Sequence, residues 1–332
     1  MKVLITGAAG YIGSTIASAC LDSDIVPVIL DNLVTGREEF TRDRIFYRGD
    51  IADGALVDRI FAEHPDIEAT VHCAALVVVP ESVADPIRYY RENVAKTVDL
   101  VDHLIRNGCE RIVFSSSASI YAPGDAGLVT ESSPVSASSP YARTKAMMET
   151  VLADIAAATP LRVVALRYFN PIGADPLMRT GLQLANPSHV LGKLSEAYRT
   201  GTPFRVTGVD WPTRDGSAIR DYIHVWDLAL AHIAALRRFD EVVPADGDPY
   251  QVINIGTGSG TTVRELVEAF QEVVGDRLVV EDAESRPGDV IGCYTGSDKA
   301  ARLLDWKAAH GIAEAIRHAL QWAEKRPSVL GD

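Results

Sequence analysis

A chain of 332 residues, 47% hydrophobic and 23% charged, carries enough apolar side chain for a full core in one large or two modest domains. Its net charge of −13 argues against nonspecific binding to nucleic acid or an anionic membrane, so an anionic ligand needs a local basic pocket. The four cysteines (Cys20, Cys73, Cys109, Cys293) show no C-x-x-C spacing, and no apolar run reaches membrane-spanning length. A soluble protein with reduced thiols is expected, in the cytoplasm.

The opening MKVLITG reads as a core strand without a signal segment before it. Residues 2–6 are followed at once by Gly7-Ala-Ala-Gly10-Tyr11-Ile12-Gly13 and a helical stretch. Strand, glycine-rich turn and helix together form the context of a dinucleotide site. The turn and close backbone approach need residues without side chains, and the helix N-terminus then faces the pyrophosphate.

A second strand, 25–30, ends in Asp31-Asn32, and Asp31 falls 18 residues beyond Gly13. That offset suits a carboxylate accepting from adenosine ribose hydroxyls, and a carboxylate repels a 2′-phosphate, so NAD is favoured over NADP. A third strand end at Gly49-Asp50-Ile51 puts Asp50 near the adenine amino group. A helix over 54–63 precedes a fourth strand, 69–75, whose Ala74-Ala75 lets backbone approach a ligand. His72 inside that strand reads as a satisfied core histidine. A long helix over 86–107 carries Asn93, and a fifth strand, 111–116, ends in Ser115-Ser116-Ser117. This alternation predicts an α/β fold with a Rossmann-type doubly wound parallel sheet, its ligands beyond the C-terminal strand ends. Ser117 stands at such an end.

Tyr141 and Lys145 are four residues apart, one turn apart on one helix face. Running a phenol as a base near neutrality means lowering its pKa by roughly 3 pH units, about 4 kcal/mol. One positive charge about 4 Å away supplies roughly that much at an effective dielectric of about 20. The spacing alone is weak; its company gives it weight.

With Tyr141-x-x-x-Lys145, a strand-end serine and an N-terminal T-G-x-x-G-x-x-G, the chain resembles the extended short-chain dehydrogenase/reductase family. The stretches Leu166–Pro171, Asp210–Asp227 and Arg286–Asp289 are similar to those of its UDP-glucose (galactose) 4-epimerase group. The resemblance implies NAD contacts by Gly7, Gly10, Tyr11, Ile12, Gly13, Asp31, Asn32, Asp50, Ile51, the Cys73-Ala74-Ala75 backbone, Asn93, Ser115, Tyr141, Lys145 and Tyr168. It implies that Ser117 and Tyr141 hold the sugar 4-oxygen, with Lys145 completing the catalytic set. Asn170, Arg220, Arg286 and Asp289 match positions that hold the UDP diphosphate and ribose. Planar guanidinium groups suit phosphate oxygens. Arg205 and Thr207 on a strand over 203–207, with His189 and Val190, complete the expected substrate contacts. No metal is expected, because the eight histidines are scattered without a ligand pattern.

Four departures stand out. Val77 replaces a common lysine near the nicotinamide ribose, and Pro80 replaces a glycine. Ser188-His189-Val190 replaces an Asn-Asn-Leu sequence. Cys293 stands where some members carry a tyrosine gating the sugar pocket, and a small residue there is associated with room for an N-acetyl group.

The resemblance therefore implies UDP-galactose/UDP-glucose interconversion by transient C4 oxidation with bound NAD, with UDP-GlcNAc/UDP-GalNAc as a further pair. Alternatives are an epimerase for UDP-pentose or UDP-uronate, a 4,6-dehydratase, or a non-catalytic NAD-sensing protein. The dehydratase needs an acid–base pair where this chain has Ser117-Ala-Ser119-Ile-Tyr121, and the sensor would commonly lack the Tyr–Lys pair.

After residue 170 the alternation weakens and Pro and Gly become frequent. The expected domains are 1–169, binding NAD, and a smaller loop-rich α/β substrate domain over 170–332, with a strand near 251–256 returning to the main sheet. A UDP-hexose substrate and a homodimer, built on helices 86–107 and 141–157, are the partners the resemblance implies. No nucleic acid or membrane partner is expected.

Overall fold

The structure is a computed structural model that describes residues 1–122, 127–185, 187, 189–285 and 290–331. Seven strands form one parallel sheet: β1 (Lys2–Thr6), β2 (Val26–Asp31), β3 (Ile45–Arg48), β4 (Ile67–His72), β5 (Arg111–Ser115), β6 (Arg162–Tyr168) and β7 (Tyr250–Ile255). Their order is β7-β6-β5-β4-β1-β2-β3. The chain runs outward from β1 to β3, then crosses back to place β4 on the other flank of β1. That reversal opens a crevice between β1 and β4, where a doubly wound sheet binds its ligands. Thr6 pairs with His72 at the end of the β1–β4 ladder, so the Gly7 turn and Cys73 leave the sheet side by side.

Among the described residues eight longer helices accompany the sheet: α1 (Tyr11–Asp22), α2 (Gly54–Glu63), α3 (Lys96–Arg106), α4 (Pro140–Ala158), α5 (Val190–Thr200), α6 (Val225–Arg237), α7 (Val263–Val274) and α8 (Ile312–Leu330). One face of the sheet is buried by α2, α3 and α4 through Val57, Leu100, Leu104, Met148 and Leu152. The other face is buried by α1 and α6 through Ile16, Leu228, Ala229 and Leu236, packed on Ile5, Ile29 and Val71. Both faces carry near-continuous apolar strands because both are covered.

Strand β7 returns to the sheet edge beside β6, in register from Tyr250↔Val163 to Ile255↔Tyr168. Helix α6 returns as well, so the second half of the chain supplies both an edge strand and a covering helix. A separate core of Leu191, Leu194, Phe204, Val206, Leu266, Phe270 and Ile316 holds α5, α7, α8 and the short strand Phe204–Thr207.

The expected long helix over 86–107 is broken into Pro86–Tyr90, a wide π turn over Arg91–Ala95 and α3. The wide turn carries Asn93. The fourth strand begins at Ile67 and stops at His72, before Cys73-Ala74-Ala75, which turn out of the ladder toward the crevice. His72 is buried between the hydroxyls of Thr6 (2.7 Å) and Thr97 (3.0 Å), a core histidine as expected.

Candidate active site

The glycine turn has no room for a side chain at Gly7 or Gly13. Gly7 sits at φ +72°, and a Cβ there would lie 2.7 Å from the Ala74 Cα. A Cβ on Gly13 would lie 2.4 Å from the Gly7 carbonyl oxygen. The N-terminus of α1 carries no side-chain cap, so its first N–H groups are available to an anion. At the end of β2 the two Asp31 oxygens accept from the N–H groups of Ala9 (2.9 Å) and Leu33 (2.8 Å), which fixes the carboxylate beside the turn. Burial raises its pKa above the usual carboxylate range, opposed by those two N–H groups. Asp50 is held by the Lys96 ammonium at 2.6 Å and by the Ala52 N–H at 3.0 Å. A cradle closed to Cβ atoms, an uncapped helix start and a fixed carboxylate 18 residues on fit a dinucleotide.

These groups open into one cleft of about 740 Å³. Its first end is lined by Gly7, Gly10, Tyr11, Ile12 and Gly13, together with Asp31, Asn32, Asp50 and Ile51. The middle is lined by Cys73, Ala74, Ala75, Ser117, Tyr141 and Tyr168. The far end is lined by Asn170, His189, Val190, Arg205, Thr207 and Arg220. Asn93, Ser115 and Lys145 back residues that line the cleft. Asn93 accepts from the Leu76 N–H (2.8 Å) and donates to the Leu76 carbonyl (2.9 Å) and to Thr144 Oγ1 (3.1 Å). Cys293 packs against the apolar group of Ala118, Ile120, Tyr121, Val129 and Phe169, of which Phe169 lines the cleft. Arg286 and Asp289 lie outside the described residues.

Tyr141 and Lys145 sit in the first turns of α4, which starts on Pro140 behind Ser139, whose Oγ accepts from the Ala142 N–H at 3.2 Å. Both side chains are buried, at 7% and 4% exposure. Burial raises the Tyr141 pKa, and a hydrogen bond with Ser117 lowers it. Burial pulls Lys145 down to about 8, against the pull of Cys73 and Glu149. The Lys145 ammonium donates to the Ser115 carbonyl at 2.7 Å and lies 4.9 Å from the Phe114 ring centre. Its firmest hold is thus the end of β5.

At the far end, Arg220 donates to the carbonyls of Ile219 (2.7 Å) and Ile291 (2.9 Å), which fixes its guanidinium plane at the cleft wall. His189 caps α5, its Nδ1 accepting from the Gly192 N–H at 3.2 Å. Arg205 is largely exposed and pairs with Glu281 at 3.4 Å. Val77 lines the cleft with 56% of its surface exposed.

Several lining residues carry no motif in the sequence: Lys96, the run Leu182-Gln183-Leu184 and Val263. Lys96 was within reach of sequence reasoning, since it sits on the face of the Asn93 helix one turn from Glu92, to which it donates at 2.8 Å. The 182–184 run reaches the cleft through long-range packing, with the Leu182 carbonyl accepting from the Trp322 indole at 2.8 Å and Gln183 donating to the Thr35 carbonyl at 3.0 Å. Among the described residues no helix is long and apolar enough to cross a membrane, and no cluster of His, Cys, Asp or Glu could hold a metal ion.

Residues 3–256 match the NAD dependent epimerase/dehydratase family. A UDP-glucose 4-epimerase of Bacillus subtilis (strain 168) is 39% identical over 97% of this chain and 96% of its own. The crystal structure of a UDP-glucose 4-epimerase from Stenotrophomonas maltophila, with bound NAD and formylated UDP-arabinopyranose, is similar with a TM-score of 0.92. It is 34% identical, and the match covers 99% of each chain. A second, from Bifidobacterium longum in complex with NAD+ and UDP, has a TM-score of 0.88 at 33% identity over 99% of this chain and 100% of the other. Likeness of sequence and of fold runs end to end, and the glycine cradle, Asp31 and Tyr141, with Lys145 behind the wall, meet at one cleft: the chain belongs to the NAD dependent epimerase/dehydratase family, among its UDP-glucose 4-epimerases.

Proposed function

We propose that Tyr141, Lys145 and Ser117 carry the interconversion of UDP-glucose and UDP-galactose in this cleft. The observation that supports these roles is the buried Tyr141–Lys145 pair, with Tyr141 and Ser117 lining the same cleft as the glycine cradle and Arg220. Bound NAD supplies a reversible acceptor for the hydride of the sugar C4. The Tyr141 oxygen takes the proton of the 4-hydroxyl and later returns it, and Ser117 Oγ orients the same oxygen. The buried Lys145 ammonium adds the positive charge that makes an anionic phenol accessible. Gly7, Gly10 and Gly13 admit the pyrophosphate, and Asp31 takes the ribose hydroxyls. Asn170 and Arg220 hold the UDP diphosphate, so binding energy falls on the nucleotide and the hexose stays free to present either face. Phe204, Trp211 and Tyr222 offer flat apolar wall to the base. Purified protein given UDP-galactose alone should form UDP-glucose; no conversion even with added NAD would overturn the reading.

The substrate range extends, in this reading, to UDP-GlcNAc and UDP-GalNAc. Cys293 does not itself line the cleft, but it is a small side chain packed on the apolar cluster that includes Phe169 of the cleft wall, where a tyrosine would add bulk. Cys293→Tyr should abolish N-acetyl activity and spare the glucose pair; equal, negligible N-acetyl activity in both proteins would refute it. A homodimer is supported by exposed apolar side chains on neighbouring helices: Val83, Ile87 and Val98 before and on α3, and Met147 on α4. Ile87→Asp should halve the mass in sedimentation equilibrium, and an unchanged mass would count against this interface. Four unpaired cysteines are in keeping with a reducing cytoplasm.

A further inference from the structure

His232 lies behind the Tyr141–Lys145 wall, fully buried on α6, in the layer that the second half of the chain adds to the sheet. Its Nδ1 is 2.8 Å from the Leu228 carbonyl oxygen. A carbonyl can only accept, so Nδ1 carries the proton. Burial pulls this imidazole down to about 4, so it is neutral at pH 7 and Nε2 can only accept. Nε2 is 2.9 Å from Ser115 Oγ. The Ser115 hydroxyl therefore donates to His232.

That assignment propagates toward the cleft. Ser115 has one hydroxyl proton, now committed, so its other partner must donate to it. That partner is Cys73, with Sγ at 3.1 Å. Cys73 lines the cleft. With its proton turned inward, it presents lone pairs to it. The Ser115 main-chain carbonyl meanwhile holds the Lys145 ammonium at 2.7 Å. One serine thus anchors the lysine through its backbone and orders a wall thiol through its side chain.

We infer that His232 is a positioning residue of this centre. It is the terminal acceptor that fixes the proton order Cys73 to Ser115 to His232, and with it the seat of Lys145. An electron-rich wall favours an electron-poor aromatic ring over its neutral, reduced form, so His232 also biases bound cofactor toward the oxidised state. This rests on the reading of the cleft as an NAD site with Tyr141 as base.

The test uses the holoenzyme and three variants: His232→Leu, His232→Gln, whose amide oxygen can accept where Nε2 did, and Ser115→Ala. Two quantities are read, the fraction of cofactor reduced on adding UDP-galactose, from absorbance in the NADH band, and kcat against KM. His232→Leu should raise the reduced fraction several-fold and lower kcat about tenfold, with KM within about twofold, the scale of one lost buried hydrogen bond. His232→Gln should recover most of both. Combined with Ser115→Ala, His232→Leu should add nothing further, because both remove the same bond. An unchanged reduced fraction and kcat in His232→Leu would overturn the inference alone, as would additive effects with Ser115→Ala. Failure of His232→Gln to recover either quantity, at wild-type thermal stability, would do the same. A wild type that neither binds NAD nor converts UDP-sugar would instead overturn the reading of the cleft, and this inference with it.

Discussion

Burial works against an anionic phenol, so the reactivity of Tyr141 depends on what stands beside it. Burial raises its pKa and the Ser117 hydrogen bond lowers it. The Lys145 ammonium, held at about 8 by burial, is turned to the Ser115 carbonyl. The expected arithmetic of one cation about 4 Å from the phenol at a dielectric of about 20 thus needs the anchoring of Lys145 as much as its spacing. Removing the phenol oxygen leaves the UDP contacts intact, so Tyr141→Phe should cut turnover by roughly 10²–10⁴-fold, the range for a lost acid–base group, with UDP affinity unchanged. Steady-state rates with UDP-galactose and calorimetric UDP titration check it; near wild-type turnover would remove Tyr141 from its role. At this scale the sequence was informative where geometry is local. Asp31 follows Gly13 by a short strand–helix unit, so its position at the cleft follows from spacing. Tyr141 and Lys145 follow from a helical turn. His232 was silent, because one histidine on an apolar helix says nothing about which strand end it meets.

The wide turn Arg91–Ala95 shows how an element sets a position that its residues alone do not. A regular helix over 86–107 was expected, but the π turn inserts extra backbone where Asn93 must clasp both polar groups of Leu76. Wide turns of this kind recur at functional sites. Asn93→Leu would strand the buried N–H and carbonyl of Leu76, costing about 2 kcal/mol. A urea midpoint unchanged from wild type would show that water or rearrangement replaces the clasp. The boundary of β4 has a similar origin. Apolar residues run on to Ala75, yet pairing ends at His72 because the Gly7 turn leaves the ladder there. Hydrophobicity marks what is buried and cannot mark where a neighbour stops.

For the whole molecule, the consequential feature is that the chain returns to its own first half. Helix α6 buries Leu228, Ala229 and Leu236 on the sheet, and β7 closes its edge. The returning strand near 251–256 was legible in the sequence. The sheet face that α6 covers was not, since amphipathicity names no address. This interleaving also buries neutral histidines from both halves: His72 and His224 at about 3 and His232 at about 4, each lowered mainly by burial. In the unfolded chain they titrate near 6.5. The unfolded state therefore binds more protons between those values, so this contribution to stability is complete above pH of about 6.5 and is lost as pH falls toward about 4. The urea midpoint should drop between pH 7 and pH 5, and a flat profile would contradict neutral burial.

The central claim is that the hydrogen at C4 leaves and returns within one cleft, with Tyr141 handling the proton alone. Conversion of UDP-galactose deuterated at C4 tests this most directly. The account predicts UDP-glucose that keeps its deuterium at C4, formed without net consumption of cofactor. Product carrying solvent hydrogen at that carbon would contradict it.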